Sequence, residues 1–367
     1  MQIIPFDVII SNPPYQQEDG GFCKSAMPIY HKFIRKAKEM NPRYMSFIVP
    51  SRWMKGGRGL DEFRQEMLTD KRMAVLHDFC KPEDVFPDVD LPGGVCYFLW
   101  DREYSGKCRI YTHQAGNKRI DVSKRYLLEE GMDTYIRQTE AIPILRKVQA
   151  KNEARFDSIV SPEDPYGMGI RFKGEKLQQQ EKYTLEPFEG AVTFFYNGYR
   201  EKGLGYVREE DIPKDWLLVD TWRVLVPRNW GKGKPQSDKI PAIIAPPHSV
   251  GSDTYLNVGS FDTEEEANNV LVYMRTRFFH FMVSIRKVSQ HASRNVYQEV
   301  PLLDFKHRWT DGELYARYGL TDEEIYIIEH TIRPQDGAKL DYHIFDDKAK
   351  KVGGYVLKEA GDNGTAN

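Results

Sequence analysis

The sequence has few cysteines, no long apolar run and almost no net charge, and each shortage narrows what the chain can be. Cys23, Cys80, Cys96 and Cys108 occur without CxxC spacing, which argues against a structural zinc site and points to a reduced cytoplasm. No cluster of histidine, cysteine and aspartate stands at ligand spacing either, so no metal site is expected. Neither an eighteen-residue apolar stretch nor a charged-then-apolar leader occurs, so the protein is expected to be neither secreted nor membrane-spanning. The net charge of −2 excludes a uniformly basic nucleic-acid coat, while local patches can still supply phosphate contacts. What remains is a chain of 367 residues, 40% hydrophobic and 29% charged, ample for two domains and a substantial core.

The stretch that organises this chain is FDVIISNPPY, from Phe6 to Tyr15. Phe6 to Ile10 is apolar and β-branched and is flanked by prolines, which predicts a buried strand. Pro13 and Pro14 fix φ and hold the chain extended, and they bias Asn12 away from the helical region. An asparagine and an aromatic are thereby presented stiffly at a strand's carboxyl end, where ligands bind in open α/β sheets.

The segments that follow alternate. Apolar spacing at Ile29, Phe33, Ala37 and Met40 predicts a helix over about 25–40, closed by Asn41-Pro42. Strands are expected at Tyr44 to Val49, Met73 to Phe79 and Gly94 to Trp100, with a helix from Leu60 to Leu68. That order predicts an α/β sheet with parallel pairs. From Arg102 the chain turns polar, and Tyr126 to Val148 contains a helical pattern with Ile136, Ala141, Leu145 and Val148 on one face.

Beyond it, strands are expected within 192–200, 216–234 and 242–250, followed by a helix capped by Asp262 with Glu264, Glu265 and Glu266 in its first turn. Between Val270 and Arg308 there are seven lysines and arginines against two acids. This basic patch, interleaved with Ser, Gln, His and Asn, suits phosphate positioning and base-edge reading. The candidate contacts are Arg286, Lys287, Gln290, His291, Arg294 and Asn295, then Arg223, Arg228, Lys232 and Lys234. Thr310 and Thr321 are candidate caps of two short helices. The polar end from Asp336 onward is expected to fray.

NPPY after a strand resembles catalytic motif IV of the adenine-N6 DNA methyltransferases, (Asp/Asn)-Pro-Pro-(Tyr/Phe/Trp). The resemblance implies that Asn12 and the Pro13 carbonyl accept hydrogen bonds from the target adenine's amino group, with Pro14 completing the turn and Tyr15 stacking on the base. A base must leave the duplex before such chemistry can reach it. RYMSFIVPSRWM resembles motif VI, and VLHDFCKPEDVFPDVDLPGGVCYFLW covers motifs VII and VIII. By likeness to TaqI-like enzymes, Phe86 would pack against the flipped adenine. The implied architecture is α/β: the second half of a Rossmann-like methyltransferase sheet over 1–110, a helical linker over 111–151, a mixed α+β target recognition domain over 152–335 and a tail over 336–367.

The same resemblance implies S-adenosylmethionine as methyl donor, yet the family's (Asp/Glu/Phe)-x-Gly-x-Gly loop stands nowhere in this sequence. Gly56, Gly57 and Gly59 lack its spacing, as do Gly198, Gly203 and Gly205. One edge of the Phe6 to Ile10 strand is therefore expected to be bare. A start assigned too late, a split enzyme completed by another polypeptide, and a truncated remnant are all consistent with this. The lead expectation is an adenine-N6 methyltransferase of a restriction-modification system, acting on double-stranded DNA beside a cognate endonuclease. A DNA-binding subunit whose partner supplies the cofactor is the second, and methylation of RNA or of protein glutamine the third.

Overall fold

The computed structural model describes residues 6–17, 27–55, 59–87, 91, 93–114, 119–168, 183–213, 219–231, 238–287 and 290–333. Lys232, Lys234, Gly56, Gly57, Cys23 and the tail from 336 lie outside them. No helix among the described residues is long and apolar enough to cross a membrane.

The amino-terminal part is a six-stranded sheet built from β1 (Val8–Ser11), β2 (Tyr44–Pro50), β3 (Met73–Phe79), β4 (Val95–Asp101), β5 (Cys108–Gln114) and β6 (Arg119–Arg125). Their order across the sheet is β1-β2-β4-β3-β5-β6. β1 runs parallel to β2 and β3 parallel to β5, whereas β4 lies antiparallel between β2 and β3. The expected parallel pairs are present, but the sheet is mixed. An apolar run such as VCYFLW carries no mark of strand direction, so only the pairing reveals it.

Helices α1 (Tyr30–Glu39) and α2 (Asp61–Thr69) follow β1 and β2. They cover one face, closing a core of Ile34, Phe47, Trp53, Phe63, Leu76, Phe98 and Trp100. The buried stripe of α1 is Tyr30, Ile34 and Ala37, while Phe33, expected on that stripe, is exposed. The aromatic Tyr30 packs edge-on against Phe63 at 6.3 Å, and the larger apolar area gained there fixes the rotation of the helix.

The other face has no helix over it among the described residues, and β1 pairs only with β2. Val8 is 50% exposed and Ile10 is 79% exposed, so the strand expected to be buried is an open edge, with Ile9 alone turned to the core. β5 and β6 continue the sheet to Arg125, and the boundary expected at residue 110 falls inside β5. The helix in the next segment, α3 (Ala141–Gln149), is shorter than its pattern, with Ala141, Leu145 and Val148 buried as expected.

Beyond α3 lie two three-stranded sheets. β9 (Trp222–Pro227) is central to β10 (Ile243–Ala245) and β12 (Tyr255–Phe261). β7 (Val192–Phe195) is central to β8 (Gly205–Val207) and β11 (Ser249–Gly251), with the single-turn helix α4 (Tyr199–Lys202) between β7 and β8. The helices α5 (Glu264–Arg275), α6 (Arg277–Arg286), α7 (Asp311–Tyr318) and α8 (Asp322–Thr331) follow. Thr263, one residue past the expected Asp262, caps α5 by accepting from the Glu266 amide. Thr310 and Thr321 each close a capping box, with Glu313 and Glu324.

Candidate active site

Because β4 is antiparallel to both neighbours, β1, β2, β3 and β5 all run in one direction. Their carboxyl ends share one edge of the sheet, and the NPPY segment leaves β1 there. Asn12 is exposed, Pro13 is buried and Tyr15 is half-buried. The register Ser11 to Phe47 anchors the segment on one side. On the other, the Ile29 amide donates to the Tyr15 carbonyl at 3.1 Å and the Gln17 amide to the Met27 carbonyl at 3.0 Å. Two prolines and two backbone clamps thus hold the Asn12 amide out from a rigid base.

Tyr15 packs against the sheet core beside Ile9. Its hydroxyl is enclosed with no hydrogen-bond partner among the described residues. Burial, with a smaller contribution from the Cys96 thiol, pushes its pKa up to about 12. The phenol is therefore neutral at physiological pH, and what it offers a ligand is ring rather than charge.

The same edge carries an ion-pair network that the sequence reading passed over. Asp78, fully buried at the end of β3, accepts from Ser51 Oγ at 2.8 Å and from Arg137 Nε at 2.6 Å. Arg137 also reaches the Gly93 carbonyl at 2.8 Å, and the Ser51 amide donates to Gly94 at 2.9 Å. The segment after β2 is thereby tied to the turn before β4. The available signal was the lone acid in the apolar run MAVLHDF, since a buried carboxylate needs a partner.

Phe86 stands after the turn that follows β3, half-buried, with its amide donating to the Pro82 carbonyl at 2.8 Å. It stands beyond the same edge as Asn12, with β2 and β4 between its strand and β1.

Residues 2–86, which contain this edge as far as Phe86, match the family described as Eco57I restriction-modification methylase. A relative from Mycoplasma pneumoniae, described as an uncharacterized adenine-specific methylase, is 30% identical over 167 residues. That alignment takes in 44% of this chain and 39% of the relative, so the chain matches about two fifths of that protein's length. Among solved structures, the type IIL restriction-modification enzyme MmeI in complex with DNA is similar over 89% of this chain and 52% of its own, at 13% identity and a TM-score of 0.43. The DrdV–DNA complex is similar over 79% of this chain and 42% of its own, at 11% identity and a TM-score of 0.41.

The amino-terminal sheet region is joined to the helical region by Lys55, whose ammonium donates to the Ile285 carbonyl at the end of α6 at 2.8 Å. Burial, then the guanidinium groups of Arg137 and Arg286, lower its pKa to about 7, with Asp133 and Asp78 opposing. A lysine unfolded with an ordinary pKa near 10.4 binds a proton that the folded form has released between the two values. The lysine's contribution to stability therefore rises with pH from about 7 to about 10.4. Urea denaturation across that window should show this rise, and Lys55→Met should flatten it. An identical slope in the variant would refute the assignment.

Beyond the amino-terminal sheet the basic patch divides. Arg223 is fully buried, donating to Ser249 Oγ at 2.8 Å and to the Ser249 carbonyl at 2.7 Å, with Tyr166 against it. Lys287 is buried between Asp238 at 3.4 Å and the Trp230 ring at 4.0 Å. Arg286 pairs with Asp133 and Glu299, each at 2.7 Å. These three, expected at a DNA surface, are internal struts, because each cation meets a distant partner that neutralises or encloses it. Arg294 is half-buried and donates to the Asp157 carbonyl at 2.8 Å. Arg228 pairs with Glu163 at 2.8 Å. Gln290, His291 and Asn295 are exposed.

Proposed function

We propose that this chain is the adenine-binding and target-recognition portion of an adenine-specific DNA methyltransferase of a restriction-modification system. The observation that carries the reading is the exposed Asn12 amide on its clamped NPPY turn at the carboxyl edge of the sheet, inside a restriction-modification methylase segment. In this reading the Asn12 side chain and the Pro13 carbonyl accept the two amino hydrogens of an extruded adenine. The amino lone pair, otherwise conjugated into the ring, is then better shaped to attack. Tyr15 offers its ring as a stacking face, and positioning supplies most of the acceleration.

S-adenosylmethionine would supply the methyl group. Gly94 is packed so closely that an added Cβ would lie 2.2 Å from the Phe79 carbonyl oxygen. It serves strand packing, not a ligand. The unpaired side of β1 supports a further strand beside it, carried elsewhere in the polypeptide or by a partner, as the source of the cofactor pocket. Residues 152–335 are assigned to duplex recognition, with Gln290, His291 and Asn295 as its exposed polar candidates, and cleavage to a cognate endonuclease.

The test is the product. The enzyme containing this chain, given duplex DNA and methyl-labelled donor, should yield N6-methyladenine on nucleoside digestion. Label in cytosine, RNA or protein would overturn the reading.

A further inference from the structure

A cavity of about 400 Å³ opens on the second region, between the turn that follows β7 and the ends of β9 and β12. Asn197, Tyr199, Arg200 and Glu201 form one wall, and Asn229 and Tyr255 belong to the other. No candidate residue from the sequence falls in it. Its shape is set locally: Gly198 takes a φ of +98°, which turns the chain sharply into α4. The Tyr199 ring is then held edge-on against Phe195 at 5.3 Å. The far wall is fixed by the Arg228 amide, which donates to the Thr254 carbonyl at 2.8 Å.

The chemistry of the lining selects a ligand class. Its one guanidinium, Arg200, stands next to the carboxylate of Glu201, so the cavity has no cationic excess to hold a phosphate. Two amides, a guanidinium and a carboxylate are instead the side chains that match the donor and acceptor edges of bases. Two tyrosine rings add faces on which a base can stack. Arg200 and Asn229 are both exposed. Asn229 also shares a hydrogen bond with His291 at 3.3 Å, and His291 lies 3.2 Å from Glu163, the partner of Arg228. The cavity is thus continuous with the exposed part of the polar patch.

We propose that this cleft reads the hydrogen-bonding edge of a nucleobase, with Arg200 and Asn229 as its specificity-determining side chains. This rests on the reading of the chain as part of a DNA methyltransferase, and it locates base discrimination away from the NPPY edge. The base comes either from bound duplex or from a free nucleoside.

The full chain should be used to select from a pool of randomised duplexes, and the bound fraction sequenced, for the wild type and for Arg200→Ala and Asn229→Ala. Circular dichroism melts of the variants confirm folding, since both side chains are exposed. Each variant should lose discrimination at one base position by on the order of tenfold, through weaker binding of the duplexes that carry the preferred base. Unchanged preferences in folded variants would overturn the cleft's role and leave the methyltransferase reading standing. A wild-type chain that retains no duplex at any salt concentration would overturn both. In a parallel arm, adenosine, guanosine, cytidine and thymidine are titrated onto the chain. Saturable binding of a free nucleoside, lost in both variants, together with duplex preferences they leave unchanged, would overturn the assignment to DNA.

Discussion

Replacing Asn12 by alanine should abolish methyl transfer while leaving duplex binding intact. The amide is exposed on a turn whose geometry is set by Pro13, Pro14 and the backbone bonds at Tyr15 and Gln17, so truncating it removes an acceptor without disturbing its support. Deleting one preorganised polar group at a reacting atom typically costs on the order of 10²-fold or more in turnover. The loss should fall on kcat rather than on KM for DNA, because the amino group is gripped only once the base is extruded. Asn12→Asp keeps an acceptor at the same place and should recover part of the rate. Turnover of the alanine variant at the wild-type rate would remove Asn12 from the chemistry.

Tyr15 provides the contrasting arm. Its hydroxyl has no partner among the described residues and burial keeps it protonated, so Tyr15→Phe should be close to neutral, whereas Tyr15→Ala loses the ring that packs on the core and is proposed to stack on the base. If Tyr15→Phe were as damaging as Tyr15→Ala, the phenol oxygen would hold a role that the stacking account does not give it.

What could be read from the sequence follows the range of the interactions. The strand and the extended segment from Asn12 to Tyr15 that leaves it were legible because proline restricts its own residue and the one before it, and the strand signal lies immediately upstream. The caps at Thr310 and Thr321 were legible for the same reason, since a capping box closes within three residues. Arg223 and Lys287 were misread because their environments are made far away in sequence, by Tyr166 and Ser249 for one and by Asp238 and Trp230 for the other. Charge shows that a side chain needs a partner. It does not show whether the partner is a phosphate or a carboxylate folded back from elsewhere. The antiparallel β4 was not legible, because strand direction is decided by pairing and not by composition.

The Asp78 network is the converse case, a distant pairing with a large expected cost. Asp78 is fully buried and Arg137 is 21% exposed at the side chain. Removing one member of such a pair leaves a charge largely out of water, and Asp78→Ala should therefore lose roughly 3–5 kcal/mol of unfolding free energy. Arg137→Met should be comparably destabilising, since it strands the carboxylate with the Ser51 hydroxyl, 2.8 Å away, as its neutral neighbour. The double variant should cost clearly less than the sum, because neither charge is then left alone. Urea denaturation of the four proteins closes the cycle, and additive losses would show that the two side chains act independently. The network also ties Ser51 and Gly93 together on the edge that presents Asn12. Under conditions where the Asp78 variants remain folded, their methylation rate should fall although no atom of Asp78 reaches the proposed base. A rate unchanged in a destabilised Asp78→Ala would confine the network to stability and leave the NPPY turn supported by its own backbone clamps alone.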